Sequence, residues 1–269
     1  YPREWGNAPR GTERVTTNRS MIKKTFQERG IEYASELALQ NSRDLYKILM
    51  WNESNNFKFY RLSSDLFPWC SEYRLCDLPD YEEIKSTLKK CGDFAHEHGM
   101  RITTHPGPFN VLGSPKPNVV TKTIKELNTH SEVFDLMGLP ATPWAKINIH
   151  VCGTYGGDFE GTASMWSTQH LFDYIHSEIG IPIVHDIHHH TFCEGGLTQE
   201  EAMRLAASTW GDVRPVVHYS QSRSTEHNDP KIRSQAHSDS YWEYPETYGL
   251  EVDIMCEAKH KELAVMKLR

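Results

Sequence analysis

The chain has 269 residues, enough to bury a sizeable core as one large α/β domain or as two small ones. Hydrophobic residues make up 38% and charged residues 24%, the proportions of a soluble globular protein, and no apolar run is long enough to span a bilayer. A net charge of −7 argues against a globally basic nucleic-acid binder, but bound divalent cations can supply positive potential that a residue count omits.

The first residues, "YPREWGNAPRGTERVTTNRS", are polar and show no secretory h-region. Six cysteines (70, 76, 91, 152, 193 and 256) are scattered and form no C-x-x-C pair, which reads as reduced core thiols. Together these point to an intracellular address.

In chain order, apolar residues at i, i+3, i+4 spacing predict a helix over 33–51, and "FKFYRLSS" (57–64) predicts a strand. A helix over 81–98 follows, opened by a capping box of Asp80 with Glu83 and stopped at Gly99, and then the strand "RITTHPG" (101–107). A helix over 118–137 stops at Gly138 and leads to the strand "AKINIHV" (145–151). A helix over 167–179 stops at Gly180 before the strand "IPIVHDI" (181–187), and a helix over 197–208 carries a second capping box, Thr198 with Glu201. The strands "RPVVHYS" (214–220) and "LEVDIMCEA" (250–258) close the series.

Strand alternating with helix predicts a single α/β domain over 1–269 with a largely parallel sheet, either doubly wound or closed into a (β/α) barrel. No G-x-G-x-x-G or G-x-x-x-x-G-K-[ST] follows a strand, so a nucleotide fold has nothing positive behind it. The loops 105–118 and 220–240 are long, polar and rich in turn residues, as active-site loops often are.

Metal-type ligands recur at the strand ends: His105, His150, Asp186 with His189, His218 and Glu257. One histidine in a strand is more often a hydrogen-bonded core or surface residue than a ligand. Recurrence over five strands favours a clustered metal site, because barrels gather their catalytic groups at that end. Mixed imidazole and carboxylate suits Mn²⁺, Zn²⁺ or Fe²⁺, and this many ligands could hold two or three ions able to activate water against a phosphodiester. Cys152, Cys193 and Cys256 lie near the proposed ligands but read as core packing. If the fourth strand runs through 187, Asp186 and His188 face one way and His185 and Ile187 the other; His189 joins Asp186 once the chain turns. His188 and His190 read equally well as residues supporting the ligands and as surface residues.

The stretches "FYRLSSDLFPW", "HPGPFNVLGSP", "INIHVCGTYG", "IPIVHDIHHHTFCEGG", "VVHYSQS", "QAH" and "IMCEAKHKE", in this order, resemble the ultraviolet damage endonucleases over nearly the whole chain. The resemblance implies a TIM-type (β/α)8 barrel, related to the xylose isomerase and apurinic endonuclease barrels. It implies an enzyme that uses Mn²⁺-class ions (Zn²⁺, Co²⁺ and Mg²⁺ being alternatives), acts as a monomer on damaged double-stranded DNA and needs no membrane. Such enzymes nick 5′ of pyrimidine dimers, 6-4 photoproducts and some abasic sites. Carried over by motif, the ligands are His105, His150, Asp186, His189, His218, His237 and Glu257. Asp186 and Glu257 would hold the ions that activate the attacking hydroxide, and Lys259 would contact a phosphate. Pro108 and Phe109, where some members carry Gln-Tyr, would wedge into the duplex at the lesion.

Three departures stand beside the resemblance. Glu72 occupies the position of a family ligand histidine, which changes charge and ion preference. Val216 falls where some members carry a modified lysine. Between "INIHVCGTYGGDFEG" and "MWSTQHLF" a β-α unit ending in Glu-Asn-Asp, whose glutamate is a ligand, is missing; Gly161 to Ser164 bridges directly, and Asp158 or Glu160 would have to stand in. A first strand before Thr16 is not evident either. Two rivals therefore stay open. One is a sugar isomerase or epimerase on the related barrel. The other is a lesion-binding homologue that has lost cutting and grips DNA through Phe109, Arg223, Arg233 and Lys259.

Overall fold

A computed structural model describes residues 15–107, 110–150 and 166–269. Pro108, Phe109, Cys152, Asp158, Glu160 and the 161–164 junction lie outside the described residues. The described chain falls into two compact units, one within 15–150 and one within 166–269.

In the first unit α1 (Lys23–Ser54) packs on α2 (Tyr81–Glu97), and α2 packs on α3 (Pro117–Met137). Helix α1 breaks at Gly30 (φ 66°), so the predicted 33–51 helix is its C-terminal part. Ala34, Ala38, Leu45, Ile48 and Leu49 are buried on α1, and Ile84, Leu88, Cys91 and Ala95 form the buried stripe of α2. At the α2–α3 contact a Cβ on Gly92 would lie 1.7 Å from the Met137 carbonyl oxygen, so only glycine lets the helices approach this closely. The strands β1 (Phe59–Leu62) and β2 (Arg101–Thr104) pair in parallel. Among the described residues the predicted third strand shows one parallel bridge, Thr104 with Ile147, flanked by Thr104 N–H to Lys146 O and Asn148 N–H to Thr104 O. Buried Arg101 donates to the carbonyls of Pro143 and Trp144 and so ties this segment to β2.

In the second unit a helical segment (168–179, with a π turn at Phe172–His176) leads to β3 (His185–Asp186) and the single turn α4 (Ile187–His190). After these come α5 (Gln199–Ser208), β4 (Val216–Tyr219), the short α6 (Arg223–Glu226), β5 (Asp253–Cys256) and α7 (Glu262–Leu268). The sheet order is β3-β4-β5, all parallel. Tyr219, Tyr241, Ala258 and Ala264 form a buried cluster with Cys256 packed against it, as expected for a core thiol.

The parallel α/β pattern is therefore present, and Gly99, Gly138 and Gly180 end helices at positive φ as expected. The Thr198–Glu201 capping box forms. The Asp80–Glu83 box does not: Asp80 is engaged by the Ser35 hydroxyl of α1, and Glu83 pairs with Arg43 of α1, so contacts between helices replace the local cap. The strand expected through 187 ends at Asp186, whose carboxylate caps the turn that follows. Alternation of faces therefore cannot place His188.

Candidate metal centre

Sheet register builds the site. Asp186 lies directly opposite His218, His218 opposite Met255, and Glu257 two residues beyond Met255, with its N–H bonded to Tyr219 O. In-register neighbours of a parallel sheet share a face, so these three side chains point the same way. Their ligand atoms lie within 4.8 Å of one another. His218 Nδ1 is 3.6 Å from Glu257 Oε1 and 3.9 Å from Asp186 Oδ2.

Two more imidazoles flank the trio. His189 Nε2 is 4.0 Å from Asp186 Oδ2, and His237 Nδ1 is 3.8 Å from Glu257 Oε2. His237 comes from the long polar loop and is delivered by an antiparallel bridge between Ser222 and His237, with Ser238 N–H donating to Gln221 O. Side-chain exposure rises from 8% at His218 through 13% at Glu257 to 36% at His189, so the group opens toward solvent on one side.

Asp186 divides its carboxylate between two tasks. Oδ1 accepts the backbone N–H groups of His188 and His189, which fixes the side chain, while Oδ2 faces His218 and His189. Burial pushes its pKa up to about 6, and the Glu257 carboxylate adds to this, against the pull of His189 and the two N–H groups. Two carboxylates and three imidazoles converge here without a thiolate. A divalent ion of the Mn²⁺ or Zn²⁺ class would offset the cost of burying Asp186 beside Glu257, so this donor set fits the ion the sequence implies.

The remaining histidines of the run have other work. His185 is on the opposite face, registered with Val217, and its ring accepts from Gln199 Nε2 (2.9 Å) while Nδ1 faces Thr168 Oγ1 (3.0 Å). Burial holds it neutral, with its pKa down to about 3. His190 is buried and bonds Leu197 O through Nε2. His188 is also buried, its ring against Phe192, His189 and His237. Neither His188 nor His190 is a surface residue.

In the first unit the rings of His105 and His150 have centroids 4.4 Å apart, close enough for two nitrogens to share one ion. His105 follows β2, and His150 follows the bridged segment at Ile147. Glu72 lies in a short turn (Cys70–Glu72) and pairs with Lys122 of α3 at 3.1 Å. It belongs to neither of the two ligand-type trios among the described residues.

The second trio, Glu226, His227 and Asp239, has its donors committed elsewhere. His227 Nε2 is 2.6 Å from Asp239 Oδ2, Arg223 Nε is 3.4 Å from Asp239 Oδ1, and both Glu226 oxygens accept backbone N–H groups, from Asp239 and Ser240. It is an ion-pair network that holds the loop next to His237, and it draws Arg223 onto Asp239. Arg233 and Lys259 are exposed.

Polar residues inside helices went unread in the sequence. Asn41 and Asp44, buried on α1, grip the "TTNRS" segment through Arg19 and Thr16, and Asn41 also donates to the carbonyls of Asp65 and Leu66. The available signal was polar residues at positions that the 3.6-residue period turns inward.

Residues 5–170 and 159–269 both match the sequence model of UV-endonuclease UvdE, and together the two stretches reach almost the full chain. The chain belongs to the UvdE family. It is 31% identical over 292 residues to the UV-damage endonuclease of Schizosaccharomyces pombe, covering 95% of this chain and 47% of that protein. It is 31% identical over 265 residues to the UV DNA damage endonuclease of Nostoc sp., covering 87% of this chain and 78% of that one. The chain thus spans about half the length of the yeast relative and most of the cyanobacterial one. A solved structure, "Crystal Structure of SacUVDE", superposes with a TM-score of 0.75 at 25% identity, covering 94% of this chain and 91% of that one. The two stretches of the UvdE match overlap at 159–170.

Proposed function

We propose that this UvdE-family chain is a metal-dependent DNA repair endonuclease. It nicks the phosphodiester 5′ of pyrimidine dimers, 6-4 photoproducts and some abasic sites in duplex DNA, acting as a monomer. The observation that carries the reading is the convergence of Asp186, His218 and Glu257 on one face of a parallel sheet in a member of this family. A barrel of the (β/α)8 type, short of one β-α unit, is the fold we infer; parallel strands alternating with helices and the likeness to SacUVDE support it.

Asp186, His218 and Glu257 would hold an ion, with His189 and His237 as further donors beside them; Glu72, His105 and His150 are proposed as metal ligands of the first unit, Glu72 by exchanging Lys122 for a metal. When bound, divalent ions of the Mn²⁺ class supply acidified water and charge stabilisation for phosphodiester hydrolysis. The protein's part is to fix the donors before substrate arrives: Oδ1 of Asp186 is tied to backbone N–H groups, so Oδ2 is presented without further ordering. Lys259, Arg223 and Arg233 contact phosphates, and Pro108 with Phe109 enters the duplex at the lesion.

Relaxation of ultraviolet-irradiated supercoiled plasmid tests this reading. Nicking that requires Mn²⁺, prefers irradiated plasmid and disappears in Asp186→Asn and Glu257→Gln is expected. Nicking that survives chelation, or that ignores irradiation, contradicts it. The break in the family match favours a second reading, a lesion binder that no longer cuts, whose signature is preferential binding of irradiated DNA without relaxation.

A further inference from the structure

The inward stripe of α3 changes character along its length. Toward the C-terminus it buries Val133, Phe134 and Met137; one to two turns earlier, the same stripe carries Thr123, Glu126 and His130. Polar side chains turned inward need partners, and all three find them on one stretch of chain, 104–111. His130 Nδ1 lies 3.4 Å from Thr104 Oγ1, the residue before His105. Glu126 Oε1 accepts from Asn110 Nδ2 at 2.7 Å, and Thr123 Oγ1 accepts the backbone N–H of Val111 at 3.2 Å.

Asn110 makes this more than edge packing. Its backbone N–H and its side-chain amide both donate to Gly107 O, each at 3.1 Å, so Asn110 is bonded back to the glycine of the His-Pro-Gly stretch. The same amide reaches Glu126, which fastens Asn110, and Gly107 through it, to the helix. The Glu126 carboxyl is half-buried, and burial raises its pKa above the ordinary range, with the Asn110 bond pulling the other way. A carboxyl kept there at that cost is held by what it bonds.

We propose that Glu126 is the positioning residue of the His-Pro-Gly stretch, setting through Asn110 and Gly107 the angle at which that stretch meets damaged duplex. This rests on the endonuclease reading above. Glu126 touches neither the ion ligands nor, on this account, the DNA; it acts through Asn110. Gln at 126 keeps an acceptor for Asn110, whereas Leu keeps the bulk and leaves the Asn110 amide with a donor unmet.

The test compares the wild type, Glu126→Gln and Glu126→Leu in Mn²⁺. It measures KM and kcat for nicking of a duplex with one defined cyclobutane dimer, affinity for the matched undamaged duplex, and hydrogen exchange over 105–111. Glu126→Leu is expected to weaken preference for the dimer about tenfold. The loss should fall in KM more than kcat, with faster exchange in 105–111, and Glu126→Gln should stay near wild type. Thermal unfolding of each variant separates loss of fold from loss of aim. If the wild type shows the preference and folded Glu126→Leu retains it, the inference fails alone. If Glu126→Gln is as impaired as Glu126→Leu, the charge rather than the hydrogen bond matters and the inference also fails. A wild type that does not distinguish the dimer overturns the endonuclease reading, and this inference with it.

Discussion

Two regions hold the residues proposed to act, and they are held in place in different ways. Asp186, His218 and Glu257 are placed by the β3-β4-β5 ladder: once the strands pair in register, the three side chains share a face. Asn110 and Val111 are held by side-chain hydrogen bonds from Glu126 and Thr123 on α3, and His130 of the same helix reaches Thr104 at the end of β2. A ladder spreads its alignment over many backbone bonds, so one side-chain change removes a ligand without moving the frame. A side-chain clamp concentrates alignment in three contacts, so one change can shift the segment it holds.

The largest effect should come from emptying the ladder-held site. His218→Ala should lower metal-dependent nicking by more than about 100-fold, since losing even a residue that supports a ligand costs 10–100-fold. Circular dichroism should remain that of the wild type, because the β3-β4 and β4-β5 pairing is made by backbone. A loss of fold in His218→Ala would break the contrast.

Next comes the frame under the clamp. Leu45 of α1 is fully buried, and Leu45→Ala should cost about 2–5 kcal/mol of stability by denaturant titration. Nicking per folded molecule should change little.

His130 sharpens the comparison through pH. Burial lowers its pKa to about 4 from an ordinary value of 6.5, so the unfolded chain takes up a proton that the folded chain refuses. Its contribution to stability is therefore full above pH 6.5 and is lost as pH falls toward 4, a loss on the order of 1–3 kcal/mol. Denaturation midpoints between pH 7 and 4 should show a shallower acid-side decline in His130→Gln than in wild type. An unchanged decline would mean that His130 already charges in the folded protein.

The smallest effect is at Thr198, whose hydroxyl and Glu201 cap α5 reciprocally. Thr198→Ala should cost about 1 kcal/mol in the same titration, with metal binding intact.

Much of the ladder-held site could be read directly from the sequence, because strand periodicity is short and a polar residue at the end of an apolar run stands out. Asp186, His218 and Glu257 came from that reasoning alone, and the turn after Asp186 brings His189 beside it as anticipated. His237 required the family motif, since nothing local in a polar loop marks one histidine among its neighbours; the Ser222–His237 bridge that delivers it pairs residues fifteen apart. His188 stayed open between a supporting and a surface role because Asp186 ends the strand by capping the next turn, an event that alternation cannot foresee. The Asp80 cap failed for a related reason, a better partner on another helix. The α3 clamp went unread because Thr123, Glu126 and His130 look like ordinary polar positions until the period of the helix turns them inward.

The measurement that bears most directly on the account is cleavage of an end-labelled duplex carrying one cyclobutane dimer, with Mn²⁺ and with EDTA, and products sized to the nucleotide. The account predicts a single Mn²⁺-dependent cut immediately 5′ of the dimer. A cut elsewhere, a cut in EDTA, or equal cutting of the undamaged duplex would contradict it.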